Sequence, residues 1–93
     1  MANPPQSQAA LDRYRHAITV EPLCWEALAS IVFFWADPDV EIDTAEAIRC
    51  GELALRIQPT HGLLSEMARL YHFVGRLEDA EQATTAMYTE MKE

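Results

Sequence analysis

Cysteine is nearly absent from this sequence, and the spacing of the two cysteines matches no disulfide or metal-binding motif. Cys24 and Cys50 form no CxxC pair and have no histidine at the spacing of metal ligands. The sequence therefore favours two reduced, mostly buried thiols over a disulfide framework or a metal site. We expect a cytoplasmic location, with no metal and no cofactor.

Long apolar runs are missing as well. No stretch approaches the roughly 20 consecutive apolar residues that a membrane span requires, and the first five residues lack the basic and apolar regions of a signal peptide. We therefore expect neither a membrane span nor a secretion signal in this sequence.

Basic residues are scarce. Seven lysines and arginines stand against 15 aspartates and glutamates, which gives a formal net charge of −8. A chain of this charge should repel nucleic acid and anionic membranes, so neither is expected as a partner. A protein partner that is basic or of mixed polarity fits better.

Glycine is also rare, with three copies in 93 residues, and β-branched residues do not alternate with polar ones. With 49% apolar residues, this composition predicts a single all-α domain. We predict a flexible segment over residues 1–7 and a helical domain over residues 8–93. The first three helices are predicted over residues 8–20, 23–36 and 44–57.

Local signals support these helices. Pro22 and Pro59 disfavour helical conformation just before them, which ends the first and third helices. The acidic segment 37–43 lacks the glycine and glutamate of a calcium loop and is typical of a solvated turn, with a bound divalent ion as the alternative. Asp43 or Thr44 is expected to cap the third helix.

The most regular pattern surrounds Gly75. Apolar residues recur at three- and four-residue steps before it and again, in a new phase, after it. This predicts two packed antiparallel helices, preceded by a turn at residues 59–62, with Ala68 and Ala80 at their close approach. Gly75 is expected to adopt a positive φ at the end of the first of them.

The second helix is apolar on nearly all sides, so it must be covered on more than one face. This helix contains four bulky aromatic residues within a stretch of eleven: Trp25, Phe33, Phe34 and Trp35. One hairpin interface cannot bury all four, so we predict that at least one is exposed to solvent or covered by another chain.

Three copies of one helical pattern share their spacing. The trailing helices align as Ala10, Tyr14, Ala17, Pro22, then Ala47, Gly51, Ala54, Pro59, then Ala80, Thr84, Met87, Lys92. The leading helices align as Leu28, Ile31, Val32, Trp35 and as Leu64, Met67, Ala68, Tyr71. The offsets of 37 and 33 residues, and of 36 for the leading helices, scatter around ~34.

On these residues the chain resembles the tetratricopeptide repeat family. The last copy matches the family pattern at Leu64, Met67, Ala68, Tyr71, Gly75, Leu77 and Ala80, and departs from it at Thr84, Met87 and Lys92. In the middle copy, Val32 replaces a small residue and Gly51 replaces an aromatic one. The resemblance implies an α-α superhelix of about five antiparallel helices, with a concave groove built mostly from the leading helices.

In this family, peptides are bound mainly by one face of the leading helices. Carrying that role over by register selects Glu26, Ala29, Phe33, Ser65, Arg69, His72 and Phe73 as peptide- or protein-binding residues. Phe33 and Phe73 would supply apolar pockets, and Arg69 would pair with a partner carboxylate. Alternatively, both phenylalanines pack into the core between the helices, and Arg69 pairs with Glu66 or with a neighbouring helix.

The family's lysine and asparagine clamp for a terminal carboxylate is not expected, since Lys92 and Asn3 are the only residues of their types. Nor is catalysis: no histidine has a serine, cysteine or carboxylate beside it at a motif spacing. We therefore expect a non-enzymatic protein-interaction module. Two alternatives stay open, a scaffold that self-assembles through its uncovered end helices and a small chaperone that holds an apolar cargo segment.

Overall fold

The computed structural model describes residues 6–37 and 40–91, and these residues form five α-helices. The helices are α1 (Gln6–Val20), α2 (Trp25–Trp35), α3 (Thr44–Ile57), α4 (His61–Phe73) and α5 (Leu77–Met91). No strand occurs in those residues, so the all-α prediction is confirmed. No helix among them is both long enough and apolar enough to cross a bilayer.

Helix α1 begins two residues earlier than predicted, because Gln6 and Ser7 already have helical backbone. The rest of the predicted flexible segment, residues 1–5, lies outside the described residues. Helix α2 is shorter than predicted: it begins at Trp25 and is followed by Ala36, whose backbone N–H still bonds the last turn. The predicted bounds of α3 are confirmed at both ends.

Side-chain caps set the starts of α3 and α4. The Asp43 carboxylate accepts a hydrogen bond from the backbone N–H of Ala45 at 3.4 Å, as expected for a cap at Asp43. The Thr60 hydroxyl accepts one from Leu63 N–H at 3.2 Å, so α4 already begins at His61. The prediction that His61 and Gly62 form a turn is therefore wrong. With Thr60 as the N-cap, both residues belong to the first turn of α4.

The turn at Gly75 follows its prediction. Gly75 has φ +83°, a conformation that residues with a β-carbon rarely adopt. Its N–H donates to the His72 carbonyl at 3.2 Å, and Arg76 N–H donates to the Tyr71 carbonyl at 2.8 Å. These two bonds form a Schellman motif, which satisfies carbonyls left open at the end of α4 and reverses the chain into α5.

The helices pack in series. Each contacts the next along the chain, and α2 also contacts α4. Between the described parts of the other helices the backbones do not come together: α1 lies apart from α3, α4 and α5, and α3 lies apart from α5. The array measures 48 × 26 × 21 Å, and its two ends do not close on each other as they would in a bundle.

Gly51 marks the place where α2, α3 and α4 meet. A β-carbon built on Gly51 would overlap the Met67 sulfur of α4 and lie 3.0 Å from Val32 Cγ2 of α2. Val32 and Met67 are both fully buried. Val32 takes up more room than a small residue would, and Gly51, which has no side chain, provides that room. The three helices therefore approach closely around the Met67 thioether.

Candidate functional site

The structure separates the predicted binding residues by exposure. Glu26, Phe33, Arg69, His72 and Phe73 are exposed, and Ser65 is partly buried. Ala29 is only 3% exposed and belongs to the core, so its side chain offers almost no surface to a partner. Since α2 is apolar on nearly every side, its periodicity could not show which face points outward.

Three of the exposed residues come together with one that was not assigned to the site. Trp35, Arg69, His72 and Phe73 line a hollow of about 320 Å³, here called the aromatic cleft. The Phe73 and Trp35 rings meet edge to face, with centroids 5.3 Å apart and planes at 73°. Trp35 Nε1–H donates to the Thr44 hydroxyl at 3.3 Å, which anchors this wall of the cleft to α3.

Exposure of the two phenylalanines is uneven but substantial. Phe73 is 68% exposed and Phe33 is 45% exposed. Phe33 lies outside the aromatic cleft, against the first turn of α4, where a β-carbon on Gly62 would be 3.7 Å from its Cζ. Neither ring packs into the core as the alternative proposed. The prediction that at least one aromatic residue of α2 is exposed is confirmed by Phe33.

Arg69, the charged residue at the cleft, already has a hydrogen-bond partner within the protein. Arg69 Nη1 donates to Glu66 Oε1 at 3.1 Å, which is the pairing that the alternative interpretation predicts. The Arg69 side chain is nevertheless 62% exposed, and an ion pair so open to water contributes no more than about 1 kcal/mol. A guanidinium has five N–H donors, so Arg69 retains several for an acceptor that enters the cleft.

A second hollow, of about 540 Å³, lies between α4 and α5 and is here called the α4–α5 groove. Its lining includes the small or apolar residues Ala68, Leu77, Ala80 and Thr84. Arg69 and His72 border both the groove and the cleft, so they form a ridge between two open surfaces. Sequence reasoning placed Ala68 and Ala80 only at the contact between the two helices.

A third, smaller hollow of about 170 Å³ separates α1 from α3. Arg15 crosses it with two hydrogen bonds to the Glu46 carboxylate, at 2.9 and 2.8 Å, which raise the pKa of Arg15. Burial raises the pKa of the Cys50 thiol, which also lines the hollow. A thiol held protonated is a poor nucleophile, so this hollow contains an ion pair and an inert cysteine.

Tyr71 is the other strongly perturbed group. Burial raises its pKa, and so does the hydrogen bond that its hydroxyl donates to Glu52 at 2.8 Å. Arg76 lies over the Tyr71 ring at 4.8 Å and pairs with Glu52 and Asp79. The cluster ties α3, α4 and the start of α5 together. Within the described ranges, no group of three or more histidine, cysteine or acidic side chains could hold a metal ion.

Comparison with known proteins adds no assignment. No protein-family model, no curated protein and no solved structure matches this chain. The aromatic cleft, the α4–α5 groove and the charges around them are therefore the features from which a function can be inferred.

Proposed function

We propose that the protein is a cytoplasmic, non-enzymatic adaptor that binds a segment of a partner protein on the exposed face of α4. The observation that carries this proposal is the aromatic cleft. It combines an exposed aromatic side chain with nearby donors on Arg69 and His72, within a hollow large enough for one apolar side chain. Apolar anchors surrounded by a few polar groups are typical of peptide recognition.

The energy available at the cleft is adequate for such a role. Phe73 is 68% exposed, and covering that part of a ring of roughly 200 Å² yields about 3 kcal/mol at ~25 cal/mol per Å². Contacts to Trp35 and hydrogen bonds from Arg69 would add to this gain. Part of the total is lost to the entropy of association, so micromolar affinity is the expected range.

The serial packing supports a tetratricopeptide-like array. The two leading helices, α2 and α4, contact each other, while the trailing helices keep their backbones apart. This is the arrangement in which one face of the leading helices is free for a ligand. The net charge of −8 favours a partner that is basic or of mixed polarity.

Photo-crosslinking tests this proposal. A photoreactive amino acid at Ala36, the exposed residue that follows Trp35, should capture a partner segment from cell extract, and the Phe73→Ser variant should reduce the yield severalfold. Tyr88→Ser is the matched control, because Tyr88 is also an exposed aromatic residue, at 58%, but lies on α5 outside the cleft. Circular dichroism should show wild-type melting for both variants.

Capture that is unchanged by Phe73→Ser, or reduced equally by Tyr88→Ser, would contradict the assignment of the cleft. A Phe73→Ser variant that unfolds would instead place Phe73 in the core. Repeating the capture at high salt separates the contributions, since the charged rim weakens with salt and the aromatic anchor does not.

Self-assembly is a second candidate, because apolar residues are exposed where α2 begins and α3 ends. Val20 and Leu23 are 73% and 64% exposed, and Ile57 is 43% exposed. Trp25 Nε1–H donates to the Gln58 carbonyl at 2.8 Å, which brings these two chain reversals together. Sedimentation velocity across a wide concentration range tests this candidate. A single monomeric species up to several hundred micromolar would rule it out.

A further inference from the structure

The α4–α5 groove is the open counterpart of a groove that the chain fills with its own helix. In the repeat alignment, Ala68 and Thr84 correspond to Val32 and Gly51. At Val32 and Gly51, between α2 and α3, the groove is occupied by α4, whose Met67 lies against both. At Ala68 and Thr84, between α4 and α5, about 540 Å³ is open.

The filled groove shows what kind of ligand fits. Its occupant, α4, is an amphipathic helix whose buried side chains are Leu63, Leu64, Met67, Leu70 and Tyr71. These lie at steps of one, three and four residues, which is one face of an α-helix. The open groove has the same construction, with small residues in its lining and two flanking helices as walls.

The walls of the open groove carry different charges. On the α5 side, Glu81 lines the groove, and Glu78 lies about one helical turn before it. Both are exposed and form no ion pair with any described residue. Both border a further hollow on the outer face of α5, lined by no basic residue. On the α4 side, Arg69 and His72 form the rim.

We propose that the α4–α5 groove binds an amphipathic α-helix of a partner protein that carries lysine or arginine along the flank facing α5. The apolar face of that helix packs on Ala68, Leu77, Ala80 and Thr84, as α4 packs on α2 and α3. Its basic flank pairs with Glu78 and Glu81. A second copy of this chain is the poorer occupant, because it brings its own net charge of −8.

This site goes beyond the proposed cleft and is separable from it. The cleft takes an apolar side chain between Trp35 and Phe73, whereas the groove takes a helix on the opposite side of the ridge. Variants of the shared residues Arg69 and His72 cannot distinguish the two, so the test uses residues that border only one surface.

Two synthetic peptides of about 15 residues provide the probe. Both carry leucine at the spacing of the buried residues of α4, and one has a lysine flank where the other has glutamate. Fluorescence anisotropy should show binding of the lysine peptide to the wild-type protein and at least ~tenfold weaker binding of the glutamate peptide. Amide shifts in NMR should cluster on α4 and α5 around Ala80 and Thr84.

Charge reversal gives the sharper result. The Glu81→Lys variant should lose the lysine peptide by at least ~tenfold and gain the glutamate peptide. Glu21→Lys is the matched control, since Glu21 is exposed in the turn before α2 and should leave both affinities nearly unchanged. Leu77→Ser, at a side chain 60% exposed, should weaken the lysine peptide without unfolding the protein.

Three outcomes would overturn the proposal. They are equal binding of both peptides, equal loss in the Glu21→Lys variant, and NMR shifts confined to Trp35 and Phe73. The last would still agree with the proposed cleft, whereas loss of the cleft crosslink with intact groove binding would leave this inference standing. A dimer in sedimentation that Leu77→Ser dissociates would instead assign the groove to a second copy.

Discussion

Replacing Gly51 with alanine tests whether the three-helix contact holds the array together. An alanine in a helix interior is intrinsically favoured over glycine by ~1 kcal/mol. Here, however, the added methyl would overlap the Met67 sulfur and lie 3.0 Å from Val32 Cγ2. Overpacking of a close-packed core costs about 1–3 kcal/mol. The net expectation for Gly51→Ala is destabilisation by up to ~2 kcal/mol.

Gly62→Ala is the matched control. Gly62 is exposed in the first turn of α4, and its added methyl would meet only Phe33 Cζ, at the ordinary contact distance of 3.7 Å. That variant should be neutral or more stable than wild type by up to ~1 kcal/mol. Urea unfolding, followed by circular dichroism and by fluorescence of the two tryptophans, measures both variants.

A double-mutant cycle identifies the clashing partner. Met67→Ala alone should cost about 2–5 kcal/mol, because it leaves a cavity at a fully buried site. In the Gly51→Ala/Met67→Ala protein, the new methyl has room, so the double variant should be more stable than the sum of the singles by ~1–2 kcal/mol. A stabilised Gly51→Ala protein, or strictly additive energies, would refute the packing argument.

Three other changes have expected outcomes. The unfolded chain releases the Tyr71 proton near pH ~10, whereas the folded chain, in which the pKa of Tyr71 is raised, releases it only at higher pH. The free energy of unfolding should therefore fall above pH ~10 by up to ~1.4 kcal/mol per pH unit. In urea unfolding at alkaline pH, Tyr71→Phe should make this dependence on pH weaker. Gly75→Ala should cost ~1–2 kcal/mol in thermal unfolding, through backbone strain alone, because no atom lies within 4 Å of its added methyl; Gly75→Asn should cost less. Thr60→Ala should cost ~1 kcal/mol and lower the amide protection of Leu63, whereas Thr60→Ser should retain both.

Helix ends were more predictable from the sequence than helix starts. Pro22, Pro59 and Gly75 act through steric effects that hold in almost any context, and the chain reverses at each of them. The start of α4 was misplaced because His61 and Gly62 have weak helix propensity. The hydrogen bond from Leu63 N–H to the Thr60 hydroxyl outweighs this weak propensity. Whether that bond forms depends on the backbone angles at Thr60, which the sequence does not show.

The candidate site was predictable only in part. Arg69, His72 and Phe73, which the family register selected as binding residues, are exposed on one face of α4, and their role in binding stays a prediction. Trp35 was missed as their neighbour because its position depends on how α2 crosses α4, which is a tertiary property. Ala29 was placed on the surface although it is buried, since α2 offers no polar stripe from which to read its orientation.

The serial contact pattern also bears on hydrogen exchange. The backbone of α1 comes close only to that of α2 and the backbone of α5 only to that of α4, whereas the backbones of α2, α3 and α4 all come close to one another. Side-chain hydrogen bonds from Arg15 to Glu46 and from Arg76 to Glu52 add links to α3. Amide protons of the two outer helices should therefore exchange through local opening, while those of the inner three wait for global unfolding. A ligand seated beside α5 would slow exchange at that end first, so deuterium uptake could reveal occupancy before any partner is identified.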